Sequence, residues 1–249
     1  MEVSCGNSLS AIKSGHLQLN RMSKSPRHDL LAFVLPFVLF MAGLMAVSVA
    51  KALGMTNFGG IRLDPMYWIY PMQTAVCAGA LLWFWRSYDF SRTTSGNLLI
   101  GVGAGLLIFG LWVAPQEVFH QPHRTEGFDP NVVPGLTPWM LATRFTRLVL
   151  VVPLVEELFW RGFLLRYLVR EDFTSLPFGS ANRTSFWVVV GAFTLVHAQS
   201  DWPAAFITGI LLNLLAVRTR SLAVCIAAHA TANLALGLYI CGTRQWGFW

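Results

Sequence analysis

The stretch VPLVEELFWRGFLLRYL, residues 152–168, carries three charged residues, Glu156, Glu157 and Arg161, in the first part of a largely apolar run. A charged side chain at the centre of a bilayer costs about 2.5 to 3.5 kcal/mol, so three that face lipid would cost roughly 7 to 10 kcal/mol. A cost of that size predicts that the charges face other helices. The stretch therefore indicates a membrane-spanning helix in a bundle with a polar interior.

The composition of the chain favours the same class of protein. Of the 249 residues, 55% are hydrophobic and 12% are charged, and the mean hydropathy is +0.54. These values are typical of membrane proteins, in which a spanning helix needs about 20 mostly apolar residues. Seven runs approach this pattern: 30–53, 66–85, 98–114, 140–168, 186–200, 203–217 and 222–240. We predict an all-α, polytopic membrane helix bundle of about seven transmembrane helices, with eight as the alternative.

The order of these runs divides the chain into three regions. Residues 1–29 are mostly polar and are predicted to form a cytoplasmic tail. Residues 30–139 contain the N-terminal spans and a Pro- and Gly-rich loop at 114–138, which is predicted to be external and without regular structure. Residues 140–249 contain the remaining spans and the polar residues that carry the chemistry.

The positive charge of the chain is better explained by topology than by nucleic acid. The net charge is +6, but the 18 Lys and Arg residues are scattered among loops and are not gathered with exposed aromatic residues. With the N-terminus in the cytoplasm, most of them lie on the cytoplasmic side. Arg144 and Arg147 are exceptions, since they fall at the outer end of their span.

A glycine motif indicates how one span packs. The sequence GVGAG at 101–105 lies inside an apolar run with no strand before it, which disfavours a dinucleotide-binding loop. Gly101 and Gly105 instead have the spacing of small residues that lets membrane helices approach closely.

The charged residues of the opening stretch differ in how they can be neutralised. Glu157 and Arg161 are four residues apart, one helical turn, so they are predicted to form an ion pair. Glu156 is turned about 100° away from Glu157 and needs partners from other helices.

Two later spans supply such partners. His197 follows Phe193 by one turn in the run AFTLVHAQS, and His229 precedes Asn233 by one turn in CIAAHATANLAL. Each residue alone is as consistent with interhelical hydrogen bonding as with function. Together with the carboxylates they form a complete set for amide hydrolysis without a covalent nucleophile, since they offer a base for water and donors for the oxyanion.

Three motifs now resemble a known family. EELFWR fits EExxxR, FTLVH fits FxxxH and HATAN fits HxxxN, in this order on separate apolar runs. The region 140–240 is similar to the CPBP family, the intramembrane CAAX-protease and bacteriocin-processing group. The resemblance implies an endopeptidase that cuts a membrane-associated substrate, with a bacterial subgroup linked to exosortase-type sorting as the nearest likeness. It also implies a bacterial inner-membrane location.

The resemblance implies a role for each motif residue. Glu156 would activate water, with His197 sharing that work, and His229 and Asn233 would polarise the scissile carbonyl and stabilise the oxyanion. The supporting residues are Glu157, Arg161 and Phe193.

The sequence leaves open whether the site holds a metal ion. The family is often called a metalloprotease, and Glu156, His197 and His229 could hold Zn²⁺ with water as the fourth ligand. The same residues serve equally well as a metal-free general-base site. The expected partners are the lipid bilayer and a membrane-anchored protein or peptide, and no nucleic acid.

Two other classes of function compete with a protease. A non-catalytic scaffold or peptide-immunity protein could use the same fold. A proton-coupled transporter could use buried Glu, His and Arg residues as a relay, but no Gly- or Pro-interrupted spans recur in matching halves of the chain.

Overall fold

The computed structural model describes residues 26–90 and 93–249, and these residues form seven helical segments. The segments are α1 (Pro26–Ala52), α2 (Met66–Trp83), α3 (Ser95–Glu117), a central segment containing α4 (Thr137–Phe145), α5 (Val152–Glu157) and α6 (Leu165–Tyr167), then α7 (Arg183–Leu195), α8 (Trp202–Thr219) and α9 (Leu222–Thr243). They match the seven predicted runs one to one, and the all-α class is confirmed. Most of the predicted tail, residues 1–25, lies outside the described residues.

The central segment (residues 137–167) is continuous but not uniformly α-helical. π-Helical turns occupy Thr146–Val151, before α5, and Leu158–Leu164, after it. Pro153 contributes to the first irregularity, because it has no backbone N–H to donate to the preceding turn. π-Helical turns are rare and frequently occur at functional sites. Here they enclose the short helix that carries Glu156 and Glu157.

Four helices of the described chain are long and apolar enough to cross a membrane. Their spans are Arg27–Ala52, Ser95–Glu117, Gln199–Thr219 and Leu222–Thr243, and the shorter Arg183–Leu195 is also apolar. Large apolar side chains on the outside of the bundle are exposed, including Trp83 and Leu99 at 83% and 72%. Such a surface suits lipid. The number of seven spans remains a prediction.

The helix α3 packs along α9 more extensively than any other pair of elements. Gly101 and Gly105 are buried at this contact, and a Cβ atom at Gly101 would lie 2.8 Å from the backbone oxygen of Val224. A Cβ atom at Gly105 would overlap the backbone oxygen of Ala228. The predicted close packing at these two glycines is confirmed.

The helix α7 is shorter than its apolar run. It begins with a capping box, in which Asn182 and Ser185 exchange side-chain-to-backbone hydrogen bonds of 2.7 and 2.9 Å. It ends at Leu195, followed by a 3₁₀ turn at Gln199–Asp201. The predicted span of 186–200 therefore runs too far, and His197 lies just beyond the helix.

The external loop is also shorter than predicted, because α3 continues to Glu117 and α4 begins at Thr137. Between α1 and α2, the two-residue strands Asn57–Phe58 and Ile61–Arg62 form a hairpin. Its turn residues Gly59 and Gly60 have φ of +58° and +84°, which glycine adopts without strain.

Candidate active site

A cavity of about 360 Å³ lies within the helix bundle, and it collects most of the predicted site residues. Its lining includes Glu156, Phe193, His197, His229 and Asn233. These residues come from the central segment, from α7 and the turn after it, and from α9. The three motifs therefore meet at one cavity, although 77 residues separate Glu156 from Asn233 in the sequence.

Beneath this cavity Glu157 accepts two hydrogen bonds. Its Oε1 atom receives Arg161 Nη1 at 3.0 Å and His229 Nδ1 at 2.9 Å. Glu157 and Arg161 are fully buried, with 0% of either side chain exposed. The predicted ion pair is confirmed. Because it joins the central segment to α9, it also fixes where His229 stands relative to Glu156.

Asn213 is a further partner of Arg161 and was not among the predicted site residues. Arg161 donates from Nε to Asn213 Oδ1 at 3.1 Å, and Asn213 donates from Nδ2 to the carbonyl of Phe186 at 3.0 Å. The Arg161 guanidinium also lies 4.9 Å from the centre of the Phe193 ring. In the sequence, the amide side chain of Asn213 within the apolar run of α8 could have indicated this contact.

Glu156 differs from its neighbour. Glu156 is 8% exposed and lines the cavity, whereas Glu157 does not. The Oε2 atoms of both glutamates are buried without a hydrogen-bond partner among the described residues. Of the two carboxylates, that of Glu156 is therefore the one beside the space where a water molecule could be held.

His197 is oriented by a contact with the C-terminal end of α7. Its Nδ1 atom lies 2.7 Å from the carbonyl oxygen of Phe193, and the ring centres of these two residues are 4.6 Å apart. A carbonyl oxygen only accepts hydrogen bonds, so Nδ1 carries the proton and Nε2 of the neutral ring keeps its lone pair. His197 is therefore in the tautomer that can accept a proton at Nε2.

His229 has the opposite electrostatic setting. Its Nδ1 atom donates to the Glu157 carboxylate, and Nε2 becomes a second donor when the ring is protonated. Asn233, one turn later on α9, donates from Nδ2 to the carbonyl of Leu148 at 2.7 Å. That bond leaves a second N–H on the Asn233 amide.

Two buried arginines in the cavity wall were not among the predicted site residues. Arg144 and Arg147, predicted at the outer end of their span, are 4% and 5% exposed and line the same cavity as Glu156. They lie on the central segment, where π-helical turns and the packing of α2 enclose them. Their spacing of three residues placed them on one helical face, which was a usable signal.

One end of the cavity is covered by the loop and the C-terminal turn. Arg124 in the loop forms a 2.5 Å ion pair with Asp201, which lines the cavity, and its backbone carbonyl accepts from the N–H of Gly247. Phe248 and Trp249 of the C-terminal turn also line the cavity. The loop has no helix or strand between residues 118 and 136, as predicted, and these contacts tie it to the site.

A zinc ion does not fit the side chains as they stand. Glu156, His197 and His229 line one cavity, yet within residues 26–90 and 93–249 no three His, Cys, Asp or Glu side chains are close enough to hold a metal ion. The Nδ1 atoms of both histidines are engaged, one with a carbonyl and one with Glu157, so Nε2 is the nitrogen that each ring could offer to a metal. No step below depends on a metal.

Comparison with known proteins agrees with this geometry. Residues 137–235 match a family model described as type II CAAX prenyl endopeptidase Rce1-like. Searches of curated proteins and of solved structures found no match. The family match and the four apolar helices support a multi-pass membrane protein with a peptide substrate. The match over residues 137–235 supports the resemblance of the three motifs to the CPBP family of CAAX-protease-like intramembrane proteins.

Proposed function

We propose that this protein is an intramembrane endopeptidase that hydrolyses a peptide bond of a membrane-anchored substrate with water activated by Glu156 and His197. One observation carries the proposal: Glu156 lines the same cavity as His197 and His229, whereas the neighbouring Glu157 does not. The match to a protease family over the same residues supports it.

In the proposed reaction, Glu156 takes a proton from water as the oxygen attacks the carbonyl carbon of the scissile bond. His197 holds that water through the lone pair on Nε2 and shares the proton. The C–N bond then breaks, and the proton is passed to the leaving nitrogen. General base assistance of this kind contributes about 10² to 10⁴ in rate.

The oxyanion of the tetrahedral intermediate needs hydrogen-bond donors. Protonated His229 donates from Nε2, with its charge stabilised by Glu157 at Nδ1, and Asn233 offers its second amide N–H. Glu157 and Arg161 are positioning residues, because they act on the substrate only through His229 and the helix that bears Glu156.

The zinc set of Glu156, His197 and His229 remains a prediction, and so does the exosortase-associated subgroup. We also propose that the protein lies in a bacterial inner membrane with its N-terminus in the cytoplasm. The charge distribution of the sequence supports this orientation.

The test is cleavage of tagged, membrane-anchored and lipidated peptides by the detergent-purified protein. Glu156→Gln and His197→Ala should both abolish cleavage while the protein still folds and accumulates in the membrane, since neither change breaks the Glu157 ion pair. Glu171→Gln, at an exposed glutamate, is the matched control and should cleave normally.

Metal analysis of the purified protein and a chelator in parallel test zinc independently of activity. Cleavage that survives in Glu156→Gln would contradict the proposed base. Full cellular function of that variant, with no cleavage by the wild type, would favour the scaffold.

A further inference from the structure

We infer that Arg144 and Arg147 form a binding site for the free C-terminal α-carboxylate of the substrate. This inference rests on the proposed function, because it assigns a further part of the same cavity to the same substrate. It starts from two buried cations that the hydrolytic chemistry does not use.

The hydrogen bonds of these guanidinium groups are largely unfilled. Within the part of the chain that the structure describes, Nε and Nη1 of Arg144 are buried with no hydrogen-bond partner. Arg147 donates one hydrogen bond there, from Nε to Gln73 Oε1 at 3.1 Å. Each guanidinium has five N–H donors, so most of them lack an acceptor.

Aromatic rings surround both groups without replacing an anion. The Arg147 guanidinium lies 4.2 Å from the centre of the Tyr70 ring, and that of Arg144 lies 4.9 Å from Phe128 and 5.7 Å from Trp249. Ring faces attract a cation. They do not supply the planar pair of oxygens that a guanidinium binds best.

The positive charges around the cavity are not fully balanced by carboxylates. Asp201 is paired with Arg124, and Glu156 is the carboxylate left to offset both Arg144 and Arg147 among the described lining residues. One positive charge therefore has no counter-charge. A buried cation without a partner is costly, and an anionic ligand would remove that cost.

The geometry relates this site to the proposed scissile bond. Arg147 precedes Glu156 by nine residues, which in a regular α-helix would separate their Cα atoms by about 13 Å along the axis. The π-helical turn at Thr146–Val151 shortens this separation. An extended peptide rises about 3.3 Å per residue, so a chain from Glu156 to Arg147 contains at most about four residues. The carboxylate would thus hold the end of a short C-terminal fragment, which hydrolysis releases.

Binding is measured on the Glu156→Gln protein, which does not turn over. The probes are three dye-labelled, acylated peptides of one apolar sequence: one with a free C-terminus, one amidated, and one amidated with a terminal glutamate. The free acid should bind about tenfold more tightly than the amide, as expected for charge-assisted hydrogen bonds. The amidated glutamate peptide shows whether a side-chain carboxylate substitutes for the α-carboxylate.

Arg144→Gln and Arg147→Gln should each reduce the preference for the acid. Arg166→Gln is the matched control, because Arg166 is a buried arginine on the same segment that bonds to the carbonyls of Gly162 and Leu176. It should keep the preference. If Arg144→Gln does not accumulate, Arg144→Lys keeps the charge but has three donors, and should weaken the preference in part.

Equal binding of acid and amide, or a preference that survives in both glutamine variants, overturns the inference. A peptide set that does not bind at all overturns it too. Cleavage by the wild type is measured separately. Cleavage without acid preference refutes this site but not the endopeptidase, whereas acid preference without cleavage supports this site and contradicts the proposed function.

Discussion

At the scale of single residues, the adjacent glutamates Glu156 and Glu157 differ in chemistry because their surroundings differ. Glu157 is fully buried and accepts at Oε1 from Arg161 and His229, whereas Glu156 lines the cavity. A shift of one position along a helix turns a side chain by about 100°. That rotation alone separates a positioning residue from the proposed base.

Arg161→Ala should impair folding more than it impairs chemistry. The change leaves Glu157 buried without its cationic partner and removes the donor to Asn213, which we expect to cost about 3 to 5 kcal/mol. Thermal unfolding in detergent and abundance in the membrane measure the effect. Arg218→Ala, at an exposed arginine of α8, should stay within about 0.5 kcal/mol of the wild type. Normal accumulation and stability of the Arg161 variant would argue against a buried ion pair.

At the scale of elements, the contact of α3 with α9 sets the shape of the cavity. The helix α9 carries His229 and Asn233, and the glycines of α3 allow it to approach closely. Separating the two helices would shift both side chains away from Glu156. The packing of these helices and the chemistry of the site are therefore coupled.

Gly105→Ala should destabilise the protein, because its Cβ atom would overlap the backbone oxygen of Ala228, which cannot move away as a flexible side chain can. We expect a loss of about 1 to 3 kcal/mol and reduced cleavage. Gly103→Ala in the same helix meets open space and should be neutral or slightly stabilising. Equal stability of the two variants would mean that α3 and α9 are not in close contact.

At the scale of the whole molecule, the orientation in the membrane decides which side supplies substrate. Seven spans with a cytoplasmic N-terminus place the C-terminus outside, together with the loop and the turn at Trp246–Phe248 that cover one end of the cavity. Substrate would then be admitted near the outer face.

A reporter that is active only outside the cytoplasm, fused after residue 249, should therefore be active. The same reporter fused after residue 90, which follows the second span, should be inactive, and a fluorescent protein should give the reverse pattern. An inactive reporter at residue 249 would require an even number of spans or the opposite orientation.

The sequence by itself determined the all-α membrane class, the seven helical segments and the family resemblance of residues 137–235, because apolar runs and the spacing within one helix are local properties. The Glu157 to Arg161 pair and the contact at Gly101 and Gly105 followed from the same spacing rules. Helix ends were less predictable. An apolar run does not indicate where a turn replaces the helix. The sequence therefore did not predict that His197 lies beyond α7.

The tertiary structure alone decided which distant residues meet. Asn213 reaches Arg161, Arg124 reaches Asp201, and Arg144 and Arg147 enter the cavity wall through contacts between elements. Such contacts depend on how helices are placed in three dimensions. No spacing within a single helix encodes that placement.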